Sequence, residues 1–188
     1  MTSPTVPRPE AILFDRDGTL IVNEPYSRDP AAVRAMPGAQ HALRLLRRHG
    51  FRLGVVSNQS GIGRGMFSWQ DLAQVNDRVD ELLGPFDDWQ ICPHTPDDGC
   101  ACRKPRPGLV LNAARNLGVA PAACLLVGDQ VTDIQAAYVA GTGAILVSNA
   151  ETRPAGLRAA TPVVPDLTTV ATLLLGTALC PSPRPAPP

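Results

Sequence analysis

Three short apolar runs, each leading straight into polar residues, constrain the fold of this chain more than any other feature. Ala11-Ile12-Leu13-Phe14 leads into Asp15 and Asp17, Phe51 to Val56 into Ser57 and Asn58, and Cys124 to Val127 into Gly128 and Asp129. Such runs are too short for helices, and their apolar character is near-continuous rather than alternating, which marks strands buried on both faces.

Helical spacing fills the gaps. Pro37-Gly38 opens a helix that runs to His49, with Ala39, Ala42, Leu43 and Leu46 on its apolar face and Gly50 as its stop. Ser68 caps a second helix, with Asp71 as the acidic partner of a capping box. Leu72, Val75, Val79 and Leu82 keep the spacing until Gly84-Pro85 breaks it. Gln90 to Cys92 reads as a short strand, Pro107 to Leu117 as a helix ended by Gly118, Val131 to Ala140 as a helix and Ala144 to Val147 as a further strand. This alternation predicts an α/β fold, a Rossmann-like parallel sheet with helices on both faces. Ligands of such open sheets sit beyond the carboxyl ends of the strands, so the polar residues after the three runs are expected on one rim. One domain is expected over 11–176, after an N-terminal extension at 1–10 and before a proline-rich tail at 177–188 whose composition predicts disorder.

Composition narrows the partners. A chain of 188 residues, 44% hydrophobic and 18% charged, fits one soluble domain with a proper core. Its net charge of zero provides no field for nucleic acid or an anionic membrane. No apolar run approaches the roughly 20 residues of a membrane span, and Met1 to Pro9 lacks the apolar core of a signal peptide. A cytoplasmic monomer acting on a small molecule, with no nucleic acid or membrane partner, is the expectation.

Three carboxylates at one rim, without histidine or cysteine, suit a hard cation such as Mg²⁺, which keeps waters and takes substrate phosphate. With phosphate charge offset, one carboxylate can attack phosphorus and a second acid two residues away can protonate the leaving oxygen. A serine hydroxyl, an asparagine amide and a lysine can hold the phosphoryl oxygens. The basic residues are almost all arginine, and Lys104 is the only lysine, a compact ammonium that a guanidinium does not replace. The residue types read as phosphoryl transfer to an aspartate.

Five cysteines are present, three of them crowded with a histidine: Cys92-x-His94, then Cys100-x-Cys102. Three thiolates and an imidazole make a full tetrahedral set for a structural zinc, and the turn-rich Thr95 to Gly99 spacer can fold the halves round one ion. The ion would pin the loop that carries Arg103 and Lys104.

Asp15-Arg16-Asp17-Gly18-Thr19 resembles the first signature of the haloacid dehalogenase (HAD) superfamily of phosphatases, Ser57-Asn58 the second, Lys104 the third, and Gly128-Asp129 with Asp133 the fourth. The resemblance covers residues 11–148 and implies a HAD-like fold with Asp15 as nucleophile and Asp17 as general acid/base. It implies Mg²⁺ held by the Asp15 carboxylate, the Asp17 backbone carbonyl and Asp129, with Asp133 supporting, and Ser57 and Lys104 holding the phosphoryl group. Within the superfamily, Asn58 to Gly65 and Cys92 to Pro105 resemble the D-glycero-D-manno-heptose 1,7-bisphosphate 7-phosphatase family, close to the histidinol-phosphate phosphatases with the same zinc loop. By position, Asn23, Glu24 and Tyr26 would line the sugar end. Ser57, Asn58, Gln59 and Ser60 would cradle the phosphate, and Arg103 would recognise substrate beside Lys104. Asn23 and Gln130 depart from the family pattern, where aspartate and lysine are common. Only about thirty residues separate Gly18 from the second strand, so a capless enzyme is expected. A histidinol-phosphate phosphatase, a polynucleotide 3′-phosphatase and a non-catalytic zinc-loop binding module stay open as alternatives.

Overall fold

The run Ala11–Phe14 forms strand β1 with all four residues buried, and its side chains part by parity to the two faces of a sheet. Ile12 and Phe14 enter one apolar cluster, Ala11 and Leu13 the other. The computed structural model describes residues 8–149, 152 and 161–176. The expected proline-rich tail and most of the N-terminal extension lie outside the described residues.

Among the described residues, six parallel strands run in the order β3-β2-β1-β4-β5-β6. They are β1, β2 (Arg52–Asn58), β3 (Asp88–Cys92), β4 (Cys124–Gly128), β5 (Gly143–Val147) and β6 (Val163–Val164). Helices α1 (Ala39–Arg48), α3 (Trp69–Leu83) and α6 (Leu167–Gly176) cover the Ile12 and Phe14 face. Helices α4 (Gly108–Asn116) and α5 (Val131–Ala140) cover the other. A one-turn helix, α2 (Ser60–Gly63), follows β2 directly. No helix among the described residues is long and apolar enough to cross a membrane.

The sequence signals map onto these elements with small differences. Ser68 and Asp71 form the expected capping box, each side chain bonded to the other's backbone N–H. Leu83, rather than Leu82, takes the fully buried place at the end of α3. Strand β2 runs two residues past Val56, so Ser57 and Asn58 lie in the strand and pair with Ile91 and Cys92. Helix α2, strand β6 and helix α6 were not anticipated. Between β1 and β2 the described chain holds one helix and a single 3₁₀ turn, Pro30–Ala32, with no inserted cap domain.

The strand order places the site. From β1 the chain moves outward on one side through β2 and β3, then crosses back to β4 and outward on the other. The crevice of such a sheet opens where this direction reverses, between β1 and β4. Phe14 pairs with Val127 across that seam, so Asp15 leaves the sheet at the end of β1 and Asp129 just beyond Gly128, the last residue of β4.

Candidate active site

Asp15 leaves β1 with its backbone N–H donating to Val127 O at 2.9 Å. Asp129 follows β4 by one residue and Asp133 lies in the first turn of α5. The carboxylates of Asp15, Asp129 and Asp133 are buried, and one oxygen from each lies within 4.8 Å of the others. Two glycines permit this closeness. A Cβ on Gly128 would lie 2.5 Å from Asp133 Cβ and Cγ, so only glycine lets α5 close over the strand end. Gly18 has φ +82°, and a Cβ there would come 2.5 Å from Asp129 Oδ2.

Lys104 threads in from the loop before α4. Its Nζ donates to Asp15 Oδ1 at 2.6 Å, Asp133 Oδ1 at 2.7 Å and Val56 O at 2.7 Å. Burial pulls the lysine pKa down, but the charges of Asp133 and Asp15 and their hydrogen bonds outweigh it, so the pKa is raised and the ammonium stays charged. Burial pushes Asp15 up to about 7, opposed by Lys104 and reinforced by Asp133 and Asp17. Burial, then the charge of Asp15, raises Asp129. One ammonium, paired with Asp15 and Asp133, thus stands in a cluster of three buried carboxylates, a surplus of negative charge that an oxygen-seeking divalent cation would balance.

Asp17 is held beside this cluster rather than in it. Arg16, itself buried, donates to both Asp17 oxygens at 3.0–3.2 Å and to Asn76 Oδ1 at 2.8 Å. Gln59 Nε2 donates to Asp17 Oδ2 at 2.6 Å and to the buried Ser57 Oγ at 2.8 Å. The Asp17 side chain is 26% exposed and borders two hollows over the cluster. Asn58 clamps the loop opposite: its Oδ1 accepts from Lys104 N at 3.1 Å and its Nδ2 donates to Lys104 O at 3.2 Å. Its amide is therefore taken up in placing Lys104, while the residue still lines the cleft.

Two adjoining hollows open over these groups. One, about 290 Å³, is lined by Asp15, Asp17, Asn23, Asn58, Arg103, Lys104, Asp129, Gln130 and Asp133 among others. The second, about 190 Å³, is lined by Arg16, Asp17, Glu24, Tyr26, Asn58, Gln59 and Ser60 among others. Every residue assigned from sequence to the sugar or the phosphate except the buried Ser57 lines one or both. Glu24 pairs with Arg34 at 2.6 Å, and Tyr26 is the described non-glycine residue with positive φ, at 58°. Gln130 Nε2 donates to Asp129 Oδ2 at 2.9 Å.

The thiols and imidazole gather at the end of β3. Cys92 Sγ lies 3.0 Å from Cys102 Sγ and 3.6 Å from Cys100 Sγ, and His94 Nδ1 lies 3.2 Å from Cys102 Sγ. Zinc bonds of about 2.3 Å to sulfur and about 2.0 Å to nitrogen set such ligand atoms roughly 3.5–3.8 Å apart in a tetrahedron. The four ligand atoms lie within 4.8 Å of one another, and the Cys102 thiol, closer than this spacing to Cys92 and His94, would draw back by a few tenths of an ångström to admit the ion. Arg103 donates to His94 O at 3.1 Å, tying the knot to the residue before Lys104.

Sequence reading passed over Arg16 as a side chain with a task, and over Asn149. The latter stands two residues past β5, where the strand-end rule applied to the other strands would have found it.

A parallel sheet whose reversal point holds an acid pair, two further acids and a buried lysine defines the class of HAD-like phosphohydrolases. A family model for HAD-hydrolase-like proteins matches residues 101–170. The D-glycero-beta-D-manno-heptose-1,7-bisphosphate 7-phosphatase of Bordetella bronchiseptica is 38% identical over 175 residues, covering 87% of this chain and 97% of the relative. The Escherichia coli K12 protein of the same name is 38% identical over 144 residues, 71% of this chain and 75% of the relative. A crystal structure of D,D-heptose 1,7-bisphosphate phosphatase from B. bronchiseptica, complexed with magnesium and phosphate, superposes with a TM-score of 0.81 at 36% identity, covering 89% of this chain and 98% of that one. The chain belongs to the HAD-like hydrolases, in the family of the heptose 1,7-bisphosphate 7-phosphatases.

Proposed function

We propose that this protein is a magnesium-dependent phosphatase that removes the 7-phosphate from D-glycero-D-manno-heptose 1,7-bisphosphate through an aspartyl-phosphate on Asp15. Asp15 forms a bond to phosphorus as the bond to the sugar oxygen breaks, and Asp17 gives that oxygen its proton. Asp17 then takes a proton from the water that attacks the acyl phosphate, which releases inorganic phosphate and restores Asp15. Lys104 and Ser57 hold the phosphoryl oxygens while charge moves between them. Asp15, the Asp17 backbone carbonyl and Asp129 would hold Mg²⁺, with Asp133 supporting through Lys104; bound there, the ion would offset phosphate charge.

The single observation that carries the reading is the ammonium of Lys104 at 2.6 Å from Asp15 inside the buried carboxylate cluster, with Asp17 fixed alongside by Arg16 and Gln59. Asn23, Glu24 and Tyr26 would meet the sugar, Asn58, Gln59, Ser60 and Arg103 the phosphate side. Zinc on Cys92, His94, Cys100 and Cys102 would hold the Arg103–Lys104 loop, and its thiolates need a reducing compartment such as the cytoplasm. The choice of heptose rests on the relatives' activity and on the matched loops.

The test is phosphate release from both anomers of heptose 1,7-bisphosphate and from histidinol phosphate, with and without Mg²⁺. A heptose bisphosphate is expected to give the highest kcat/KM, and Asp15→Asn to abolish turnover of all of them. Preference for histidinol phosphate would overturn the substrate, and full activity in Asp15→Asn would overturn the mechanism.

A further inference from the structure

An amide at the end of β5 reaches across the seam where the metal ligands meet. Asn149 Nδ2 donates to Asp129 Oδ2 at 3.0 Å and to Gly18 O at 2.8 Å. It bridges two loops that are distant in sequence, one following β4 and the other carrying Asp15 and Asp17. The direction of that amide is determined by its other end. Asn149 Oδ1 accepts from Thr152 N at 3.0 Å, so it must be the nitrogen that faces the carboxylate. The backbone of Asn149 is held as well, its N–H donating to Thr152 Oγ1 at 2.9 Å, and Thr152 is itself buried.

The consequences fall on Asp129. Its Oδ2 takes two amide donors, Asn149 at 3.0 Å and Gln130 at 2.9 Å, while its Oδ1 has the Thr19 hydroxyl at 3.4 Å. With Oδ2 saturated, the carboxylate is locked about its terminal torsion and Oδ1 becomes the oxygen available to a cation. A neutral amide does this without adding a further negative charge to a cluster that already holds three buried carboxylates. The same amide fixes the Gly18 carbonyl, and so the curve of the loop behind the Asp17 carbonyl. Gly18 is pressed so closely here that a Cβ on it would lie 3.1 Å from Asn149 Nδ2.

We infer that Asn149 is a positioning residue for the divalent-cation site, setting magnesium affinity by orienting Asp129 against the nucleophile loop. The inference rests on the magnesium-phosphatase reading above and assigns a task to a residue outside the four signatures.

Asn149→Ala should weaken Mg²⁺ binding, read by calorimetry on the otherwise intact protein, by about 10–100-fold, the usual cost of losing a hydrogen bond to a metal ligand. The activity lost at low Mg²⁺ should return on raising Mg²⁺, with substrate KM unchanged at saturation, a recovery that general structural damage would not give. Should that variant fail to fold, Thr152→Val keeps the shape and removes one anchor of Asn149, with a smaller loss of Mg²⁺ affinity expected. Asp129→Asn is the control. If it abolishes Mg²⁺ binding while Asn149→Ala leaves affinity and Mg²⁺ dependence unchanged, the assignment of Asn149 is wrong and the metal site stands. If Asp129→Asn itself binds Mg²⁺ normally, the metal site falls and this inference with it.

Discussion

Replacing Lys104 by methionine keeps much of the side-chain volume and removes the one ammonium that faces Asp15 and Asp133. In the parent, Nζ lies 2.6 Å from Asp15 and 2.7 Å from Asp133 with the lysine side chain 3% exposed, so little solvent screens the pairs. Stripping one partner from a buried pair costs about 3–5 kcal/mol. At roughly 2–4 °C per kcal/mol for a chain of this size, the melting temperature should fall on the order of 10 °C. The loss should depend on pH, and the sign follows from Asp15. Its folded-state pKa is already raised to about 7, and Lys104 is the charge holding it down. Without the lysine it rises further, and a raised carboxylate pKa means a folded state that keeps a proton the unfolded chain has released. Near pH 5 Asp15 is protonated in both folded proteins, so the loss there comes from the Lys104–Asp133 pair alone and is the smaller one. Above about pH 7 the parent ionises Asp15 against its lysine and the variant has no lysine to ionise against, so the gap widens. Thermal melts by circular dichroism at about pH 5 and about pH 8, in magnesium-free buffer without chelator so that any zinc is retained, measure this. An equal drop at both pH values, or none at either, would refute the coupling between Lys104 and Asp15.

Magnesium binding should carry its own pH dependence. Because the Asp15 proton must leave before a cation enters, Mg²⁺ affinity measured by calorimetry should fall as pH drops below about 7, by up to about tenfold per pH unit; a flat profile contradicts that competition. Gly128→Ala drives a methyl into Asp133 and should cost about 1–3 kcal/mol of stability in a denaturant titration, with kcat reduced because the strand end and α5 are forced apart. Cys102→Ser should lose bound zinc, read by metal analysis, and lower kcat through the Arg103–Lys104 loop; full kcat in a zinc-free variant would detach the thiol cluster from the active site.

The parts of this protein that were legible in its residues share a physical cause. A strand buried on both faces in a parallel sheet must be apolar throughout, so β1 and β4 announce themselves as runs, and the first polar residue after each run must leave the sheet. Asp15, Asp17, Asp129 and the capping box of Ser68 with Asp71 were readable because each depends on spacing within a few residues. The thiol and imidazole set was readable for the same reason. Strand β6 was not, since two valines carry no period, and neither was the short helix at Ser60–Gly63, whose glycines oppose helix formation until Phe67 packs against Gly61.

Which acids follow the buried strands, and which thiols and imidazole stand close enough in the chain to share an ion, was thus determined by local pattern; the order of the strands in the sheet was not. Which partner each side chain takes was decided only when distant segments met. Asn58 turns its amide to the Lys104 backbone, 46 residues away, and Asn149 reaches Gly18 across 131. Hydrogen-bond direction inside a low-dielectric core depends on what lies opposite, and spacing along the chain carries no record of that.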